Sequence, residues 1–162
     1  QRISVARALA VKPIFLVLDE PTSALDVSVQ AQVLELLKEL QVELGMAYLF
    51  ITHDLGVVRY FCDRVTVMYL GKITEVADNE SLFANALHPY SQALLDAIPR
   101  PVVGKREAAT AMTDEIPSAL DPPAGCRFHT RCPRCMDICR HEEPRLIEIE
   151  SDHYVACHLY GK

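Results

Sequence analysis

The sequence predicts an α/β fold built on a parallel sheet with some antiparallel edge. Two short apolar runs, 14–18 and 47–52, are typical of strands in a buried parallel sheet. Between them, apolar residues recur every three or four positions, as in an amphipathic helix. The resulting order of strand, helix, strand, helix and hairpin indicates this fold class.

The chain begins with a predicted helix and strand. Residues 1–10 are apolar at most positions and predict a mostly buried helix that ends before Pro13. The run 14–18 is continuous and contains β-branched residues, so we expect a strand buried on both faces.

The second predicted helix carries its apolar residues between Val29 and Leu44. Gly45 is expected to end it as a C-terminal cap, because glycine adopts the left-handed conformation readily. Asp26 or Ser28 is expected to cap its start, since both side chains can accept a backbone N–H.

The following segments predict a second strand, a short helix and a hairpin. Residues 47–52 form the strand and residues 55–61 the helix. Two β-rich stretches, 64–69 and 73–76, are separated by a short turn and predict the hairpin.

The chain changes character after residue 78. Residues 79–98 predict two short helices that break at His88-Pro89, and residues 99–124 are proline-rich and predict a linker. Residues 125–162 form a cysteine-rich tail. The predicted organisation is therefore a domain over 1–78, a helical extension over 79–98, the linker and the tail.

The composition limits the classes of function. Half of the 162 residues are apolar and 23% are charged, which indicates a globular chain. The formal net charge of −6 argues against nucleic acid as a partner, because phosphate binding needs clustered cations. No apolar run is long enough to span a bilayer.

Three polar side chains follow the two predicted strands. Asp19 and Glu20 come directly after the first strand and His53 after the second. Ligands of open parallel sheets bind beyond the carboxyl ends of the strands, so we expect these groups at one edge. There, one carboxylate can hold Mg²⁺, the next can activate a water, and the histidine can contact a phosphate.

A longer string than the acidic pair supports this interpretation. LDEPTSALD (18–26), with QRISVARALA before it and ITHDLGVV after it, resembles the second half of the nucleotide-binding subunit of ABC transporters. The resemblance covers roughly residues 1–78. It implies a P-loop NTPase-type parallel sheet with helices, here incomplete, followed by the cysteine-rich extension.

The resemblance also implies roles for single residues. Asp19 would be the Walker B aspartate that serves Mg²⁺, Glu20 the catalytic glutamate that acts on water, and His53 the switch histidine at the γ-phosphate of ATP. Ser23 to Asp26 would form the loop that contacts the opposite subunit, with Ser23 and Asp26 close to the nucleotide.

The chain departs from the family in its phosphate loop. That loop needs G-x-x-x-x-G-K-[ST], whose backbone N–H groups cradle the phosphates. None of the six glycines stands in this pattern. We therefore expect a fragment that begins just past the family's signature motif. The intact subunit would bind ATP and Mg²⁺ and hydrolyse ATP, and this fragment alone would be inactive.

The segment LFANALHPYSQALLDAIPRP (82–101) narrows the resemblance to the ATP-binding subunits of oligopeptide and dipeptide importers. Such a subunit energises import of peptides or related solutes. The implied partners are a second, identical or homologous ATP-binding subunit, the transmembrane permease subunits and, indirectly, a solute-binding protein. The implied location is peripheral, on the cytoplasmic face of the plasma (inner) membrane. His88-Pro89 itself is expected to be structural.

The cysteines of the tail form a candidate metal site. Four thiols suit either a tetrahedral Zn²⁺ or a [4Fe–4S] cluster. The importer family has a similar tail, which implies a cluster held by Cys126, Cys132, Cys139 and Cys157. Zinc and no metal stay as alternatives. Cys135 is then a spare thiol or an alternative ligand, and Cys62 is expected to be a buried core thiol.

Two other functions are compatible with parts of the sequence. One is an ABC-type ATPase of DNA repair or chromosome structure, which the acidic balance and the HPY segment disfavour. The other is a stand-alone iron–sulfur or zinc module that carries a degenerate ATPase remnant.

Overall fold

The computed structural model describes residues 2–98 and 117–161, which fall into two compact units, Gln1–Cys62 and Asp63–Lys162. The first unit contains α1 (Arg2–Leu9), β1 (Phe15–Asp19), α2 (Val27–Leu44), β2 (Ala47–Ile51) and α3 (Leu55–Phe61). The second contains β3 (Arg64–Tyr69), β4 (Lys72–Asp78), α4 (Asn79–Ala84), α5 (Pro89–Asp96), a 3₁₀ turn (Asp137–Arg140), β5 (Ile147–Glu150) and β6 (His153–Val155). Among the described residues, no helix combines the length and apolarity that a membrane span requires.

The domain boundaries predicted at residues 78, 98 and 124 stay predictions. Most of the predicted linker, residues 99–116, lies outside the described residues.

The sheet of the first unit is a parallel pair. β1 and β2 lie in register, with Phe15 opposite Ala47 and Asp19 opposite Ile51. Alternate residues face one core, which is formed by Val5, Leu18, Val33, Leu34, Leu37, Val57 and Phe61. The prediction of parallel β-structure is therefore confirmed.

The prediction that these strands are buried on both faces is wrong. Phe15, Val17, Leu49 and Ile51 are each between 45% and 52% exposed. A strand's side chains point alternately to two sides, and in this unit the residues that form the core pack against only one of them. The other face of the pair is apolar and open among the described residues.

The first helix is present, but the prediction that it is mostly buried is also wrong. In the described part of α1, Val5 is buried while Ile3 is 85% exposed. The helix packs one stripe, which includes Val5 and Leu9, against the core of the first unit.

The ends of α2 follow the predicted capping. Asp26 precedes the helix in extended conformation, and its carboxylate accepts the N–H of Val29 at 3.0 Å. Gly45 adopts φ 63° and donates its N–H to the carbonyl of Gln41. The Ser28 hydroxyl supports the cap, since it donates to Asp26 at 2.7 Å.

The predicted hairpin is confirmed, but it does not form the edge of the parallel sheet. β3 and β4 belong to a separate antiparallel sheet with strand order β3-β4-β6-β5. β6 pairs with β4 through Val155 opposite Glu75. The cysteine-rich tail therefore contributes two strands to the hairpin's sheet. The fold as a whole is mixed α/β, with a parallel and an antiparallel sheet.

The helix break at His88-Pro89 is also confirmed. Pro89 is the first residue of α5, a position where its missing N–H costs nothing. His88 caps this helix, because its Nδ1 accepts the N–H of Tyr90 at 3.0 Å.

Candidate functional site

The candidate site lies where β1 and β2 end. The last pair of the parallel ladder joins Asp19 to Ile51, and the N–H of Glu20 donates to the carbonyl of Ile51 at 2.9 Å. The two strands therefore end level with each other. This register brings the residues after β1 next to those after β2.

Glu20 and His53 meet at this edge. The Nδ1 atom of His53 lies 3.0 Å from Oε1 of Glu20. A carboxylate only accepts, so Nδ1–H is the donor and Nε2 is left as the ring atom for another ligand. The side chains are 49% exposed at Glu20 and 76% at His53, so a substrate can reach both.

The backbone at Glu20 is unusual. Its φ is 43°, in the left-handed region that non-glycine residues rarely adopt. Such conformations cost free energy and occur often at functional sites. Here the turn is closed by Ser23, whose N–H and hydroxyl both donate to the carbonyl of Glu20.

Asp19, Ser23 and Asp26 are exposed around the same turn. Asp19 ends β1 and lies next to the pair in sequence, while Ser23 and Asp26 make the local contacts of the turn and the helix cap. A hydrogen bond from Ser28 is the main cause that lowers the pKa of Asp26, so its carboxylate is ionised at neutral pH. The structure thus brings Glu20 and His53 together, and holds Ser23 and Asp26 by bonds within the loop.

Asp54, the residue after His53, fixes the second loop. Its carboxylate accepts the N–H groups of Gly56 and Val57 at the start of α3 and the side-chain amide of Gln30 at 3.3 Å. The loop that carries His53 is therefore tied both to its own helix and to α2. This role of Asp54 was not predicted from the sequence, although an Asp two residues before a glycine in a helix start is a recognisable cap.

The cysteines of the tail approach one another without forming a metal-binding group. Over residues 2–98 and 117–161, no three His, Cys, Asp or Glu side chains lie close enough to hold a metal ion. All six cysteines are free thiols. The backbones of Cys126 and Cys139 are joined, since the N–H of Cys126 donates to the carbonyl of Cys139 at 2.8 Å.

Burial favours the protonated form of several of these thiols. It raises the pKa of Cys126 and Cys132, and it raises the pKa of Cys157 to about 11, with smaller contributions from neighbouring thiols. Metal binding would have to remove these protons, because the thiolate is the ligand. The geometry therefore does not support the iron–sulfur prediction. Cys62 is half-buried and packs against the core of the first unit.

A second polar cluster, which the sequence analysis missed, lies in the other unit. Glu75 in β4 is fully buried, and its carboxylate accepts the N–H of Leu87, the N–H of His88 and the Nε2–H of His153 at 2.7 to 2.9 Å. The signal for it was an acidic residue inside a predicted strand. Its partners stand 12, 13 and 78 positions away, so no local pattern connects them.

Comparison with known proteins defines the relatives of this chain. Residues 74–139 match the family model of the C-terminal region of oligopeptide/dipeptide transporters. A putative peptide import ATP-binding protein of Brucella ovis is 53% identical over 157 residues, which are 97% of this chain and 50% of that protein. The oligopeptide transport ATP-binding protein AppF of Bacillus subtilis is 51% identical over 165 residues, 99% of this chain and 50% of AppF.

A solved structure gives a looser match. CbiO1 of Clostridium perfringens, part of the ABC transporter complex cbiONQ, is 37% identical over 52% of this chain and 34% of CbiO1, with a TM-score of 0.49. This overlap is too small to assign the fold.

The matches show that the chain is similar to ATP-binding proteins of transport systems. More narrowly, it is similar to ATP-binding proteins of oligopeptide and dipeptide transport, as the resemblance in its sequence predicts. The chain spans about half the length of the curated relatives it matches.

Proposed function

We propose that this chain belongs to an ATP-binding subunit that hydrolyses ATP to energise peptide import, and that it supplies the hydrolytic residues. The observation that carries the proposal is the pair Glu20 and His53, held 3.0 Å apart at the shared edge of two parallel strands. The similarity to peptide import ATP-binding proteins supports the same function. It also favours transport over DNA repair and over a stand-alone metal module.

The exposed groups at the edge divide the chemistry between them. Glu20 accepts a proton from, or orients, the attacking water, and its contact with His53 fixes the orientation of that ring. Contact with the terminal phosphate uses the doubly protonated ring, in which Nδ1–H donates to Glu20 and Nε2–H donates to a phosphate oxygen. Because the carboxylate and the ring are both solvent-accessible, the nucleotide can approach without any rearrangement of the core.

Mg²⁺ would be held by Asp19, where it would neutralise charge on the phosphates. Mg²⁺ commonly uses only one or two carboxylates and completes its shell with waters and phosphate oxygens, so a single exposed aspartate fits. Ser23 and Asp26 would face a second ATP-binding subunit across the nucleotide. The fold proposed for this half of the site is the P-loop NTPase-type sheet of ABC ATPases.

The further partners are also proposals. They are the second, identical or homologous ATP-binding subunit, the transmembrane permease subunits and, through these, a solute-binding protein. The subunit would lie peripherally on the cytoplasmic face of the membrane.

The test is ATP hydrolysis by the longest protein that the gene encodes, with Glu20→Gln as the variant. Loss of a general base lowers kcat by about 10²- to 10⁴-fold, while ATP binding is retained. Glu35→Gln on the exposed side of α2 is the matched control and should keep full activity. Equal activity in the two variants would disprove the assignment of Glu20.

The 162-residue chain gives a second test, because it contains no G-x-x-x-x-G-K-[ST] sequence. Alone it should show no ATP turnover. Turnover that disappears in Glu20→Gln would refute that expectation and would mean that the phosphates are held by other residues of this chain.

For the tail, we propose a [4Fe–4S] cluster on Cys126, Cys132, Cys139 and Cys157, because the resemblance of this tail to that of the importer family implies these four ligands. Iron and labile sulfide are measured in anaerobically purified protein. Cys139→Ser should abolish both, whereas Cys135→Ser is the matched control and should retain them. Stoichiometric zinc, or no metal at all, would remove the cluster from the proposal.

A further inference from the structure

The second unit contains a cleft beside the cysteine loop. It has a volume of about 30 Å³ and lies between the start of β4 and residues 125–128. Its lining includes Tyr69, Lys72, Thr74, His88, Arg127 and Glu143. None of these residues takes part in the proposed hydrolysis.

Two buried polar groups of this lining have no partner. The hydroxyl of Tyr69 and Nε2 of His88 make no hydrogen bond within the part of the chain that the structure describes. The two residues are 5% and 1% exposed. Leaving a buried polar group unpaired is costly, so such groups in native proteins usually bind water or a ligand.

The unpaired nitrogen of His88 is a donor. Nδ1 accepts the N–H of Tyr90, so in the neutral ring the proton is on Nε2. Burial lowers the pKa of His88 to about 4, which keeps the ring neutral at pH 7. The hydroxyl of Tyr69 can donate as well.

The charges at the cleft favour an acceptor as the ligand. Arg127 uses one Nη to donate to the carbonyl of Leu70 and has further N–H groups. Lys72 is half-exposed and pairs with Glu143 at 2.7 Å, so this carboxylate is already neutralised. The hydroxyl of Thr74 is used, since it donates to the carbonyl of Val67. Donors therefore exceed unpaired acceptors in the lining.

We propose that this cleft binds a small oxyanion, with the Tyr69 hydroxyl and His88 Nε2–H as its buried donors and Arg127 as its cation, while Lys72 offsets the carboxylate of Glu143. Phosphate, sulfate and carboxylate share this chemistry. Aromatic packing holds the two donors in place, because the rings of Tyr69 and His88 lie 5.2 and 5.7 Å from that of Phe128.

The test is calorimetric titration of the 162-residue chain with phosphate, sulfate and acetate, each against chloride at equal ionic strength. We expect saturable binding of at least one of the three anions, and their order of affinity separates tetrahedral anions from carboxylates. Tyr69→Phe removes the donor but keeps the ring, and should weaken binding about tenfold or more, as expected for a hydrogen bond to a charged group.

Tyr160→Phe is the matched control. Its hydroxyl donates to the carbonyl of Leu87 in the same unit, outside the lining of the cleft. This variant should lose thermal stability and keep its anion affinity. Tyr69→Phe should show the opposite, with unchanged or higher stability in chloride, because an unpaired buried hydroxyl has been removed.

Lys72→Gln keeps the test valid if Tyr69→Phe does not fold, since Lys72 lies at the half-exposed rim. It should also weaken anion binding. Three results would overturn the proposal. They are no saturable binding of any anion, equal anion affinity in Tyr69→Phe and the parent chain, or a thermal stability that rises with salt concentration and never saturates. The last is the general effect of excluded salts.

Discussion

Replacing Glu75 by Gln tests how the second unit is held together. Glu75 is fully buried and joins three segments, because Oε1 accepts from Leu87 N–H and His153 Nε2–H while Oε2 accepts from His88 N–H. Glutamine has nearly the same shape but offers one acceptor oxygen in place of two. In its better orientation the amide oxygen keeps the Oε1 contacts, and the NH₂ group faces the N–H of His88.

The magnitude follows from the donors left without an acceptor. In Glu75→Gln the His88 N–H and the new amide group oppose each other in a site without solvent. Each unsatisfied buried donor costs about 1–3 kcal/mol. We therefore expect a loss of about 3 kcal/mol in the free energy of opening of this unit, which corresponds to roughly 100-fold lower protection.

Hydrogen exchange measured by mass spectrometry is the appropriate assay, because it reports on each unit separately. Peptides that cover β4 and α5 should lose protection, while peptides of α2 should not change. Glu148→Gln is the matched control, since Glu148 is exposed and accepts the N–H of Asp152. If Glu75→Gln exchanges like Glu148→Gln, the carboxylate does not hold these segments and the reasoning is refuted.

Three further predictions follow from single residues. Burial sets the pKa of His88 at about 4 in the folded chain, against 6.5 ordinarily, so the contribution of this ring to stability is complete above pH 6.5 and is lost as the pH falls towards 4. Urea unfolding of the second unit should therefore show a loss of up to about 3 kcal/mol in the free energy of unfolding. Gly45 and Gly125 both have positive φ, but a Cβ at Gly125 would lie 2.5 Å from the carbonyl oxygen of Cys139, whereas a Cβ at Gly45 would have no atom within 4 Å. Thermal melts should therefore show that Gly125→Ala costs about 1–3 kcal/mol more stability than Gly45→Ala. Asp26→Ala should reduce hydrogen-exchange protection at the start of α2, whereas Asp26→Asn should not, because Asn caps a helix equally well. An equal loss of protection in both variants would contradict the capping role.

Local signals were sufficient to predict the elements of the first unit. Asp26 and Gly45 fixed the ends of α2 because a cap depends on residues within one turn of the helix. The break at His88-Pro89 was predictable for the same reason. The approach of Glu20 to His53 was also predictable, since parallel strands that pair in register end at one edge.

Burial was predicted less well, because it depends on which other segments cover a surface. The sequence pattern of 14–18 is that of a strand covered on both sides, yet the structure covers one side. The apolar side chains of Phe15 and Val17 indicate that this face of the strand can be buried by another segment. They do not indicate which segment buries it.

The strands of the tail were missed because their sequence signals are weak. Ile147–Glu150 alternates apolar and acidic residues over only four positions, and His153–Val155 is three residues long. Such short segments become strands through pairing with β4, a contact across almost 80 positions. The same long-range pairing carries His153 to Glu75.

The chain therefore contains two Glu–His pairs that look alike as chemistry and differ in burial. Glu20 and His53 lie 3.0 Å apart with 49% and 76% of their side chains exposed, whereas Glu75 and His153 lie 2.7 Å apart with 2% or less exposed. An exposed pair adds little stability but can reach a substrate. A buried pair is not accessible to a substrate, and removal of one partner leaves a buried charge or hydrogen-bond donor unpaired. Substitutions in the first pair should thus change activity at nearly constant stability, and substitutions in the second should do the reverse.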